Sequence, residues 1–88
     1  MDYCEFTDSE IRRFYARIAE NVKYFRKQKG FTQLNLALAM GHKSMSTIAK
    51  IEANLENKHY NIEQLYKISK ILEVELCEFF AKRDEADT

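Results

Sequence analysis

Between positions 43 and 50 the chain reads Lys43-Ser44-Met45-Ser46-Thr47-Ile48-Ala49-Lys50, a run of hydroxyls, a thioether and two ammonium groups without an acid. Ser and Thr hydroxyls donate to or accept from any base edge, and a Met or Thr methyl can lie against a thymine methyl. A lysine ammonium group complements a guanine edge or a phosphate. This is equipment for binding a nucleic acid and poor equipment for catalysis. His42, His59, the scattered serines and the two cysteines have no spacing that would assemble a nucleophile, a base and an orienting group. Cys4 and Cys77 belong to no CxxC or Cys/His cluster, so no metal site is expected. We read His42 as a turn residue and Cys77 as a buried thiol, and expect neither enzyme activity nor a cofactor.

Such residues act only if something holds them out. Thr32 can cap a helix in which Leu36, Ala37 and Met40 recur at helical spacing, and Gly41 can take the left-handed conformation that ends it. A second helix then begins at Ser44 or Met45. It keeps Ile48 and Ile51 on one side and leaves Met45, Ser46, Thr47 and Lys50 partly or wholly outside. Two short helices at a tight glycine turn form a helix-turn-helix, whose second helix is shaped to enter a major groove.

The rest of the chain reads as support. Eighty-eight residues with no Pro, two Gly and 45% hydrophobic content suit one all-α domain, 1–88, with a core over 11–80 and the helix-turn-helix at 32–53. Thr7 and Glu10 have capping-box spacing, and Ile11, Phe14, Tyr15, Ile18, Val22 and Phe25 then place one long helix ending near Lys29, before Gly30. Tyr3 and Phe6 are positioned to staple onto it. Asn61 and Gln64 repeat the capping pattern ahead of a stripe of Ile62, Leu65, Ile68, Ile71 and Leu72. A last helix carries Leu76, Phe79 and Phe80, and Ala81 to Thr88 reads as a charged, frayed tail. No apolar run approaches the roughly 20 residues that span a membrane, and the polar N-terminus is unlike a signal peptide, so we expect a cytoplasmic protein. The formal net charge is zero, yet residues 11–70 hold twelve basic residues against four acids, with the other acids at the two ends. That asymmetry fits a positive DNA face backed by an acidic one.

The ordered set Arg26, Gly30, Thr32-Gln33, Leu36-Ala37, Gly41, Ser46-Thr47-Ile48 and Lys50-Ile51-Glu52, continued by Ile62, Leu65, Ile68, Leu72, Val74, Leu76 and Phe79-Phe80, resembles the lambda-repressor-like (Xre or Cro/CI-type) helix-turn-helix family. The resemblance covers roughly Ala19 to Phe80. Asn54 stands where the family most often has Gly, no Pro precedes the fourth helix, and the segment between Gly41 and Ile48 is one residue longer than the common pattern. It implies a compact five-helix domain, here with an N-terminally extended first helix. By the same resemblance Arg26 and Glu52 form a partly buried ion pair; the alternative is an exposed pair of little worth. Gln33 resembles the residue that meets a phosphate and braces the reader side chain; otherwise it is a polar first-turn residue.

Placed in that frame, Met45, Ser46, Thr47 and Lys50 are the expected base contacts, with Lys50 serving either a guanine or a phosphate. Gln33, Lys43, Ser44, Asn54, Asn57 and Lys58 are the expected phosphate contacts. Phe14 and Tyr15 either pack over the domain or bury against a second subunit, and we favour the second; Leu76, Phe79 and Phe80 are the other interface candidates. The leading expectation is a homodimeric regulator of transcription on an inverted-repeat operator of double-stranded DNA, similar to phage repressors or restriction-modification controller proteins. The competing one is a protein-interaction module such as the antitoxin of a toxin-antitoxin pair, with a protein partner. A third is a relic of the fold that no longer binds DNA.

Overall fold

A computed structural model describes residues 5–83. Four α-helices, α1 (Asp8–Gln28), α2 (Gln33–Ala39), α3 (Ser46–Glu52) and α4 (Ile62–Leu72), are followed by a single 3-10 turn, Leu76–Phe79. The long α1 lies against α3, α4 and the 3-10 turn, while α2 packs on α3 and α4. Ile18 and Val22 of α1, Leu36 and Ala37 of α2, Ile48 and Ile51 of α3, and Leu65, Ile68 and Leu72 of α4 meet with Phe79 in one core. Each contributes from one helical face, which is the i, i+3/i+4 pattern realised in space.

The helix starts follow the capping chemistry of their sequences. Thr7 accepts from the Glu10 amide at 3.0 Å while Glu10 reaches back to the Thr7 amide, and Asn61 and Gln64 do the same at α4. The stops share one device. At α1, α2, α3 and α4 a left-handed residue, Gly30, Gly41, Asn54 and Glu73 in turn, closes the last turn, and the next amide bonds back to a carbonyl five residues earlier. This is the Schellman arrangement, which satisfies the end carbonyls. At Gly41, φ is 93°, and the His42 amide reaches the Ala37 carbonyl at 2.9 Å.

Four expectations need correction. The fifth helix is only the four-residue 3-10 turn. The Nδ2 of Asn21 on α1 donates to the carbonyls of Phe79 (3.0 Å) and Ala81 (2.8 Å), taking up acceptors that further helical turns would use. Cys77 is exposed rather than buried. In a 3-10 turn residues three apart share a side, so Leu76 and Phe79 face the core and Cys77 turns out. Ile62 is 67% exposed, because it opens α4 beyond the reach of the stripe that Leu65, Ile68 and Leu72 bury. Phe6 is 71% exposed and staples nothing; Tyr3, Cys4 and the tail beyond Arg83 lie outside the described residues. Of the tail, Arg83 stacks its guanidinium 3.6 Å from the centroid of the Tyr24 ring. Among the described residues no helix is long and apolar enough to cross a membrane.

Candidate nucleic-acid interface

The helix-turn-helix is built from Thr32 onward. The Thr32 hydroxyl accepts from the Asn35 amide at 2.9 Å, which starts α2, and the Gly41 turn ends it after two helical turns. The chain then runs through Lys43 and Ser44 before α3 begins at Ser46, one or two residues later than the sequence suggested. Met45 offers no side-chain cap; instead the Ser44 hydroxyl accepts from the Ser46 amide at 3.3 Å and shares a hydrogen bond with the Ser46 hydroxyl at 3.1 Å. Ser44 therefore serves the helix start and fixes where Ser46 sits.

Ile48 and Ile51 anchor α3 in the core at 0% and 1% exposure, and this decides what remains outside. Met45 and Ser46 are exposed, and Thr47 and Lys50 are half-buried. Lys50 Nζ lies 3.3 Å from the Glu56 carboxylate in the loop after α3. With both side chains well exposed, this pair is held by less than about 1 kcal/mol, so Lys50 can exchange Glu56 for another anion.

The other end of α3 is clamped. Arg26 of α1 makes a two-pronged contact with Glu52, Nε to Oε2 at 2.8 Å and Nη2 to Oε1 at 3.0 Å, and its remaining Nη1 donates to the Phe31 carbonyl at 2.7 Å. The carboxamide nitrogen of Gln33 donates to the same Glu52 oxygen at 2.8 Å. One carboxylate thus ties the end of α3 to α1 and to the first residue of α2. The pair is nearly enclosed, with 7% and 4% side-chain exposure, and each Arg26 nitrogen donates to an acceptor, which is the condition for a buried pair to orient helices without leaving an orphan charge. Tyr60 is buried beside it. Burial, reinforced by the Glu52 charge and opposed by Arg26, pushes the Tyr60 phenol above the ordinary tyrosine range.

The expected phosphate contacts flank α3 in sequence. Lys43 and Ser44 precede it, and Asn54, Asn57 and Lys58 follow it on an exposed loop that bends through left-handed residues at Asn54, Glu56 and Asn57. Gln33 is brought to α3 by Glu52, with its carboxamide nitrogen already engaged.

The interface candidates separate. Phe79 is 0% exposed in the monomer's own core and has no surface to offer a second subunit. Leu76 and Phe80 pack half-buried against that core. Tyr15 stacks on His59 of the loop at 3.8 Å and 18°, so it covers its own domain rather than standing free. Phe14 stays 40% exposed, edge-on to Tyr15 at 5.6 Å. Sequence reasoning passed over Asn21, Tyr60 and His59. Asn21 had a signal, a carboxamide between Ile18 and Phe25 on an otherwise apolar stripe; Tyr60 and His59 in a loop had none.

Fold and clamp together define a helix-turn-helix domain with a rigidly held, outward-facing second helix. The chain matches the Helix-turn-helix family over residues 22–79, and so belongs to that family, in its Xre or lambda-repressor-like branch, a family of DNA-binding transcription regulators. It is similar to a solved structure, the N-terminal DNA binding domain of SinR from Bacillus subtilis, at 30% identity and a TM-score of 0.67, over 80% of this chain and 99% of that domain. No curated protein matches it.

Proposed function

We propose that the protein regulates transcription as a homodimer that binds an inverted-repeat operator, with α3 of each subunit in the major groove. The observation that carries this is the attachment of α3: its buried face is anchored by Ile48 and Ile51 and its C-terminal end by Glu52, while Met45 and Ser46 are exposed and Thr47 and Lys50 half-exposed. A helix that reads a groove must be held rigidly and leave its first turn free. In this reading Met45, Ser46, Thr47 and Lys50 meet base edges, and Gln33, Lys43, Ser44, Asn54, Asn57 and Lys58 meet phosphates. With few long donors at the reading end, selectivity comes from hydroxyl and methyl contacts as much as from paired hydrogen bonds. Phe14, next to the 42% exposed Ile11 on the extended α1, is the apolar surface best suited to pair two copies.

The test is selection of bound duplexes from a random DNA pool, with the mass of the free protein measured in solution. Recovery of an inverted repeat by a dimer, with half-sites about 34 Å apart, supports the reading. A folded dimer that enriches no sequence would favour the protein-partner module instead.

A further inference from the structure

The N-terminal half of α1 and the loop after α3 leave a cleft of about 350 Å³ between them. Arg12 and Arg13 line it from α1, and Asn54, Asn57, Lys58 and His59 line it from the loop. Among the described residues no carboxylate lines it. Two of the neighbouring acids are engaged elsewhere, Glu10 capping the Thr7 amide and Glu56 pairing with Lys50, and neither Asp8 nor Glu20 forms an ion pair with the cleft's cations among the described residues. Among the described residues none of Arg12, Arg13 and Lys58 has an ion-pair partner; Arg13 Nη1 contacts only the Ser9 hydroxyl, at 3.3 Å. The stack of Tyr15 on His59 pins the loop against α1, so the two walls are held together without a ligand.

Three uncompensated cations, two carboxamides and an imidazole around one concavity constitute an anion site, and the volume sits at the lower end of small-ligand pockets. We propose that this cleft holds a phosphate group, with the Arg12 and Arg13 guanidinium forks and the Lys58 ammonium neutralising it and Asn54 and Asn57 donating neutral hydrogen bonds. Arginine forks match the oxygen geometry of a phosphate, which a lone lysine does not. Two sources carry such a group: a free phosphorylated small molecule, or a phosphodiester of the DNA backbone. The second source rests on the DNA-binding reading; the first does not. A free ligand would occupy Asn54, Asn57 and Lys58, which that reading assigns to DNA, and would compete with it.

The full chain is titrated with sodium pyrophosphate at constant ionic strength and followed by backbone amide resonances. Saturable shifts confined to residues 9–19 and 54–59 are expected, weakened about tenfold or more in the double variant Arg12→Gln/Arg13→Gln, which removes the charge-assisted hydrogen bonds. Lys67→Ala, which removes a cation from the exposed face of α4, should leave the affinity unchanged. The amide spectrum of each free variant verifies the fold. In parallel, the salt dependence of binding to a selected duplex is measured; a log–log slope shallower by about 0.9 for each phosphate that the double variant no longer neutralises identifies the DNA backbone as the source. Saturation by pyrophosphate without any duplex enrichment supports the cleft while the DNA-binding reading fails. Absence of saturation together with an unchanged salt slope, or with no DNA binding at all, overturns the proposal.

Discussion

The carboxamide nitrogen of Gln33, the first residue of α2, donates at 2.8 Å to Glu52, the last residue of α3, so the two helices of the helix-turn-helix are joined at the ends far from their turn. Arg26 grips the same carboxylate from α1. Glu52 is therefore the point through which the angle of α3 is set. Removing it in Glu52→Ala strands the enclosed Arg26 charge and should cost about 3–5 kcal/mol in denaturant unfolding. A double variant, Arg26→Met/Glu52→Leu, should recover most of that stability, because an apolar pair of similar volume leaves no orphan charge. If the single variant were destabilised by less than about 1 kcal/mol, the pair would be behaving as an exposed one.

Tyr60 makes stability fall at alkaline pH. Its phenol is buried with no hydrogen-bond partner among the described residues, and its pKa in the folded state is raised above the ordinary value of 10.0. A raised pKa means that the unfolded chain releases the proton first, so stability is intact below about pH 10 and declines above it by about 1.4 kcal/mol per pH unit. Tyr60→Phe should match the wild type near neutrality within about 1 kcal/mol. The difference in unfolding free energy between the two should widen only from about pH 10 upward.

Glu56 restrains Lys50. In Glu56→Gln the 3.3 Å contact to Lys50 loses its anionic partner, and the fold should change by less than about 0.5 kcal/mol at so exposed a site. Duplex affinity should rise by up to about fivefold, the equivalent of a surface ion pair no longer broken on binding. Lys50→Ala should reduce selectivity among duplexes with the helical content unchanged, and Ser46→Ala should shift base preference likewise. Equal selectivity in both would remove these residues from the reading surface.

Glu73 closes α4 at φ 57°, a left-handed position without a glycine. An L side chain there costs about 1–2 kcal/mol, partly offset by the greater freedom that glycine has when unfolded. Glu73→Gly should therefore raise stability by about 0.5–1 kcal/mol. Asn54→Gly should gain less, since asparagine tolerates this conformation better than glutamate. Thermal melts of the two variants side by side give the ranking.

Phe14 tests the subunit surface. Phe14→Asp, on an exposed helical position, should leave the monomer folded and convert a dimer to a monomer in sedimentation equilibrium. Persistence of the dimer would move the interface elsewhere, and Phe79 is not available for it.

Local signals were legible wherever their partners lie within a few residues. Thr7 with Glu10, Asn61 with Gln64, and Thr32 with Asn35 are bonds across three residues, and Gly41 needs no partner to turn left-handed. Apolar periodicity likewise showed which faces of four helices would be buried. The ordered motif tied Arg26 to Glu52 only through family resemblance; nothing in the spacing of the two residues says that α1 would bring them to 2.8 Å. Packing decided the remainder. Asn21 ends the chain's helical course by binding carbonyls 58 and 60 residues away, which made a 3-10 turn of an expected helix and turned Cys77 outward. The same packing drew Phe79 inside and left Ile62 out, although periodicity treated both as apolar residues of equal standing. The cleft between Arg12, Arg13 and the Lys58 loop belongs to this second class, because residues about 45 apart share a cavity only when the long α1 is laid along the loop. Amino-acid order determines contacts of short loop length at little entropic cost; those that close long loops are chosen by the core as a whole.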